Sequence, residues 1–235
     1  MAGDAWILAG WEKRPFCAAI AWRSDRFEVV ANPRVRPLGE AKGDELAVSR
    51  PGSLAVATVT RRGLSDPLVV VSVYAPWERP VPYDERGWIY ADASAHRLIS
   101  DLSVLVSNQA KHRIVIAGDW NILHGYGEQG SPYWGQRYQT VFDRMEALGF
   151  EFVGPKQPNG RAADPRPAEL PDELVSVDVA TYRTRPKDPA SGQRQLDFVF
   201  ASQSIADAVT VRALNGPDEW GPSDHCRIEI EVAAT

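Results

Sequence analysis

The chain has 235 residues, 44% of them apolar and 24% charged, a balance that excludes a disordered or fibrous protein and fits a globular one. Its net charge of −5 argues against a strongly basic nucleic-acid-binding surface, because non-specific DNA affinity comes mainly from Lys and Arg displacing counterions; a local basic groove is still allowed. Length alone is most simply read as one domain, 1–235.

Cys17 and Cys226 are the only two cysteines, which does not suggest a disulfide framework and makes a reducing cytoplasm the expected location. The stretch from Met1 to Trp6 lacks the basic region and long apolar run of a secretory leader. No segment reaches the roughly 20 apolar residues of a membrane span.

In chain order, Phe16 to Trp22 is short and apolar and predicts a strand. Asn32 to Arg50, with Pro33, Pro37, Gly39 and Gly43, reads as loop. Leu54 to Thr60 alternates like a half-buried strand. Gly63 to Pro67 is a turn, and Leu68 to Tyr74 is a continuous apolar strand, so the two strands predict a hairpin. Pro76 to Pro82 breaks regular structure. A helix follows, capped by Asp92 or Ser94, with Ala95, Leu98, Leu102, Leu105 and Val106 on one apolar face.

Arg113 to Ala117 predicts the strand that delivers Asp119. Leu123 to Gly135 is a polar, Gly-rich loop holding His124, Tyr126, Glu128, Tyr133 and Trp134. Tyr138, Val141, Phe142, Met145 and Leu148 mark a second amphipathic helix, stopped at Gly149. Phe150 to Val153 is a short strand, and Pro155 to Leu174 a surface excursion. Further strands are expected ending at Thr181-Tyr182, within Gly192 to Ala201, over Val209 to Leu214 and over Cys226 to Val232. Helices interleaved with strands indicate α/β or α+β layering.

Three stretches set polar groups beside apolar strands: Gly118-Asp119-Trp120-Asn121, Gln195-Leu196-Asp197-Phe198 and Ser223-Asp224-His225. Polar groups placed where strands end or begin can converge at one rim of a sheet. Three carboxylates, an amide and an imidazole there would suit phosphoryl-ester hydrolysis, which needs a metal, an oriented water and a His held by a carboxylate. Asp119 and Asn121 lie two residues apart, so in an extended segment they point the same way, with Trp120 turned into packing. Each stretch also has a plainer reading. Asp and Asn are common in turns after strands, and His225 alone would be a hydrogen-bonded rim histidine.

Taken together and in this order, the stretches resemble the endonuclease/exonuclease/phosphatase superfamily. The apolar strand ending in Tyr74-Ala75-Pro76 fits the same pattern, and the resemblance runs from about Pro15 to the C-terminus. It implies an α+β fold, an α/β sandwich of two packed mixed β-sheets flanked by helices, DNase I-like. It also implies a phosphoesterase dependent on Mg2+, with Mn2+ as the alternative. Asp119 would orient or deprotonate the attacking water, and Asn121 would donate to a phosphate oxygen. Tyr74 would help stabilise the pentavalent transition state. Asp197 would fix the tautomer of His225, and Asp224 would hold the metal or a metal-bound water.

The sequence also departs from the family. Its members normally begin with an Asn-bearing strand and then a strand ending in Gln-Glu, whose Glu holds the metal. No Trp-Asn or Gln-Glu pair precedes Tyr74. Glu12 is the nearby stand-in as metal ligand, against the plainer reading of a surface carboxylate. The first strands are thus expected to be missing, leaving one sheet narrower or with an exposed edge.

Three readings follow: a metal-dependent hydrolase, nuclease-like in cleaving phosphodiesters; a phosphate- or nucleic-acid-binding module impaired in catalysis; or the truncated product of a longer gene. His124, Tyr126 and Trp134 are candidates to contact substrate, against local aromatic anchors. Arg194, with Arg183, Arg185 and Lys187, is a candidate phosphate contact, against a solvated loop. The expected partner is a phosphate ester, nucleic acid among the possibilities. Fold does not choose the substrate, and the oligomeric state is open.

Overall fold

The computed structural model describes residues 5–8, 18–22, 27–31, 33–61, 66–77, 91–106, 111–185 and 188–233. The chain divides into two units, Met1–Asp119 and Trp120–Thr235. In the first, β1 (Ala5–Leu8) and β2 (Ala19–Trp22) form an antiparallel pair. β3 (Phe27–Val30) comes next, then β4 (Val35–Pro37) and β5 (Leu46–Val48), which pair in parallel. β3, β4 and β5 were not foreseen. At three or four residues each, they are too short for a periodicity to show, and β4 and β5 fall within the Pro- and Gly-rich stretch read as loop.

β6 (Leu54–Arg61) and β7 (Leu68–Tyr74) make the expected hairpin. Leu54, Ala55, Val56 and Ala57 are consecutive and all fully buried, the pattern of a strand covered on both faces rather than the half-buried one expected. α1 (Ala91–Leu102) buries Ala91, Ala95, Leu98, Ile99 and Leu102, a helical stripe. The expected caps Asp92 and Ser94 lie inside its first turn and are themselves buried. Leu105 closes a 3-10 turn beyond the helix. β8 (Ile114–Asp119) follows β7 in the strand order, so that the first unit contributes β3-β6-β7-β8. Pairing along this order is antiparallel except between β7 and β8, which run parallel.

The second unit opens on Trp120. α2 (Pro132–Ala147) starts with Pro at its first turn, where the missing N–H costs nothing. It buries Tyr138, Val141, Phe142 and Met145, and the chain leaves it through Gly149 at φ 81°. β9 (Phe150–Gly154), β10 (Tyr182–Arg183), β11 (Gly192–Arg194), β12 (Asp197–Ser202), β13 (Val209–Leu214) and β14 (Arg227–Val232) follow. They pair antiparallel as β9–β12, β10–β11 and β13–β14.

All six residues of β12 are buried. Phe198 and Phe200 pack edge-on or tilted against Phe142 and Phe152, with centroids 5.3 to 5.9 Å apart. Such pairs contribute about 0.5–1.5 kcal/mol each beyond area burial. Parallel and antiparallel pairing together, with the helices α1 and α2, make the fold α+β, as expected.

Candidate active site

Because β7 and β8 run parallel, they end on the same side, and Tyr74 and Asp119 are register partners there. Gly118 makes this possible. A Cβ at that position would sit 1.9 Å from the carbonyl oxygen of Val73, so the strand delivering Asp119 can approach β7 only without a side chain. Ala75 N–H donates to the Asp119 carbonyl at 2.8 Å, fixing the backbone there. Burial first, and the Asp119 carboxylate second, push the Tyr74 phenol above its ordinary pKa. It therefore stays protonated, as a hydrogen-bond donor. Glu12 lies outside the described residues.

In the second unit Trp120 is buried as expected, its ring 5.1 Å from Phe200 and nearly perpendicular to it. Its backbone N–H donates to Leu196 O at 2.9 Å, beside Asp197. Asn121 differs from expectation. Its φ is 52°, in the left-handed region that Asn tolerates better than most residues, so strand alternation does not set its side-chain direction.

His225 and Asp197 are brought together. The imidazole Nδ1 lies 2.8 Å from Asp197 Oδ2, with about a quarter of the His side chain exposed. The tautomer with its proton on Nδ1 donates to the carboxylate, and Nε2 of the neutral ring is then the acceptor. Ser223 Oγ accepts from the His225 N–H at 3.1 Å, and the Tyr182 ring leans over the imidazole at 5.1 Å. Asp224 is exposed. Its Oδ1 accepts from Ser223 Oγ at 3.3 Å, and its carbonyl accepts from Arg183 N–H at 2.9 Å.

The other candidates have partners within the protein. His124 Nδ1 is 2.8 Å from Asp178 Oδ1, and its ring packs against Phe142 and Phe152. Tyr126 is buried, and burial raises its phenol well above the ordinary value. Trp134 lies not in a loop but in the first turn of α2, with the Arg137 guanidinium 5.4 Å from its ring centre. Arg194 bridges the carboxylates of Glu128 and Glu169.

Arg183 is no solvated loop residue: it is 3% exposed. The Pro155–Leu174 excursion is also more than surface. It helps wall a pocket of about 190 Å³ lined by Tyr126, Arg166, Leu170, Asp178 and Gln195 among others. Sequence reasoning missed Asp178, Thr181 and Asn215. Asn215 is buried and ties Arg161 to Ala180 through its amide. Their partners lie 15 to 54 residues away in sequence, where spacing carries no signal.

No family model matches the chain, and no curated protein matches it. Solved structures do. The endonuclease domain of TRAS1, a telomere-specific non-LTR retrotransposon, is similar at a TM-score of 0.53 and 15% identity, covering 92% of this chain and 73% of that one. A variant of the 3′ phosphatase NExo from Neisseria, bound to a product DNA hairpin, is similar at 0.54 and 15%, covering 99% and 80%. This likeness shows the fold: an α+β sandwich, DNase I-like, as expected.

Proposed function

We propose that this chain is a divalent-metal-dependent phosphoesterase, nuclease-like, that hydrolyses phosphodiesters by in-line attack of water. The observation that supports it most is the His225–Asp197 pair at 2.8 Å, at the rim of β12 and partly open to solvent. Asp197 accepts the Nδ1 proton and steadies the ring once Nε2 has also taken a proton from solvent, the form that donates to a phosphoryl oxygen. His225 and Asn121 stabilise the negative charge that builds on the phosphoryl oxygens. Tyr74, kept protonated by burial, donates to the same charge. Asp119 orients the water and accepts its proton. General acid–base assistance of this kind typically contributes about 100- to 10,000-fold. In this reading residues 1–235 act as one domain.

The donor chemistry fits Mg2+ or Mn2+. Asp224 is an exposed carboxylate, a hard oxygen donor that would hold such an ion, with Glu12 as the further candidate ligand. Soft thiolate ligation has little support from Cys226, which is buried and whose thiol is pushed up to about 12 by that burial. A bound ion would polarise the phosphoryl oxygen. His124, Tyr126, Trp134 and Arg194 remain candidates for substrate contact. Nucleic acid is the favoured substrate class, since one structure of the same fold carries a DNA product. No helix among the described residues is long and apolar enough to cross a membrane, and a cytoplasmic location belongs to the proposal.

A binding module impaired in catalysis is the second reading, favoured by the lack of a Gln-Glu pair before Tyr74. The test is hydrolysis of bis-p-nitrophenyl phosphate and p-nitrophenyl phosphate by the purified chain, with Mg2+, Mn2+ or EDTA. Metal-dependent turnover, faster on the diester and lost in His225→Ala, is the expected result. No turnover with any metal would leave the binding module.

A further inference from the structure

We infer that the tripeptide Thr181-Tyr182-Arg183 is a positioning element for the His225–Asp197 pair, Thr181 setting the carboxylate and Arg183 the imidazole. The inference deepens the proposed function and rests on it for its catalytic meaning. The geometry itself lies wholly within the second unit.

Thr181 is fully buried. Its Oγ1 accepts from Leu196 N–H at 3.0 Å and from Asp197 N–H at 3.2 Å, so one hydroxyl fixes two successive peptides as the chain enters β12. Its own N–H donates to Arg194 O, and its carbonyl accepts from Cys226 N–H, both at 2.9 Å. A single residue thus ties the segment before Asp197 to the residue after His225. Such a hub needs a hydroxyl: Val has the same shape but no acceptor, and would leave two buried N–H groups unmet.

Arg183 acts on the other partner. Its guanidinium donates from Nε and Nη2 to Ser223 O at 3.1 and 2.9 Å, and from Nη2 to Gly221 O at 3.1 Å. The guanidinium lies 5.4 Å from the Trp220 ring centre, and Trp220 Nε1 donates to the same Ser223 carbonyl at 3.1 Å. Residues 221–224 are all exposed and form no strand, so these bonds hold the segment from beneath. A planar fork reaching two carbonyls is arginine chemistry that Lys does not reproduce. Between the two, Tyr182 forms a β-bridge with His225, its ring on the imidazole.

The test reads the imidazole directly. Long-range 1H–15N spectra of the purified chain, taken where imidazole is ordinarily neutral, report the tautomer of His225; its signals are assigned by their loss in His225→Ala. The native chain is expected to show one tautomer, protonated on Nδ1. Thr181→Val is expected to show both, and Arg183→Lys to broaden the His225 signals, each with native circular dichroism; Thr181→Ser restores the single tautomer. In turnover, Thr181→Val lowers kcat by about 100-fold with little change in KM, the loss expected when a reacting group is displaced by about 1 Å. A single Nδ1-protonated tautomer in folded Thr181→Val and Arg183→Lys would overturn the inference. Should Thr181→Val not fold, the Arg183→Lys spectrum decides alone. A native chain without turnover would remove the proposed function and leave the spectra to judge the positioning.

Discussion

Asp178 Oδ1 lies 2.8 Å from Nδ1 of His124, the same separation as between Asp197 and His225. The surroundings differ. The His124 ring packs 4.8 and 5.0 Å from the centroids of Phe142 and Phe152, inside the aromatic layer of the second unit. His225 borders the exposed residues Ser223 and Asp224. The two imidazoles are about equally open, 26% and 25% exposed, so what separates the pairs is the aromatic packing around His124. His124→Ala would leave the Asp178 carboxylate without this partner and open a gap between rings, at a cost of about 1–3 kcal/mol. For a chain of this length each kcal/mol moves the melting temperature by about 2–4 °C. We expect His124→Ala to melt earlier with kcat per folded molecule little changed, and His225→Ala to melt normally with turnover lost. A raised KM in His124→Ala would show that His124 contacts substrate as well.

Gly118→Ala tests the approach of β8 to β7. The added Cβ would fall 1.9 Å from the Val73 carbonyl oxygen, against backbone that cannot swing aside as a side chain can. Overpacking typically costs about 1–3 kcal/mol, and a clash with backbone lies at the upper end. We expect a urea midpoint well below that of the native chain and, in whatever fraction folds, loss of the alignment of Asp119 with Tyr74. A stable Gly118→Ala chain would mean that the two strands do not approach this closely.

Much of this was legible in advance where the signal is local. β7 carries the bounds read from its apolar run, Leu68 to Tyr74. Tyr138, Val141, Phe142 and Met145 are the buried face of α2. Asp197 and His225, chosen by motif, meet at hydrogen-bond distance. What failed was not local. β4 and β5 are three-residue strands that exist only because they pair with each other. Asp92 has a good capping side chain, but the helix starts before it. Arg183 looked like one cation among several, yet its partners lie 38 and 40 residues downstream. Thr181 carries no motif at all. Its role depends on peptides 15 and 16 residues away, and composition cannot place those.

Cys226 offers a test of the second unit's packing by pH. It is 7% exposed, and burial raises its thiol from an ordinary 9.0 to about 12. The folded state therefore holds a proton that the unfolded chain releases once pH passes about 9. The contribution is fully present below that pH and is lost as pH rises towards 12. We expect stability to urea to fall across this window, with a shallower fall in Cys226→Ala. Alkylation at pH 8, followed by peptide mass spectrometry, should label Cys226 only as fast as the chain opens. Rapid labelling of the native chain would mean that the thiol is not buried.

The roles proposed for Asp119 and His225 are best tested together. If Asp119 readies the water while His225 stabilises the charge that the same attack creates, removing either disables one shared step. Each single alanine variant should then lose about 100- to 10,000-fold in kcat. The double variant should be little slower than the slower single one, because groups that act as a unit are strongly non-additive. If the two losses multiply instead, the residues contribute independently, and the shared step would have to be given up. The comparison uses one substrate, bis-p-nitrophenyl phosphate, and one saturating metal concentration, with circular dichroism of all four chains to show that folding is unchanged. Non-additivity tied to turnover, with no change in melting, is a result that two unrelated surface carboxylate and imidazole groups would not produce.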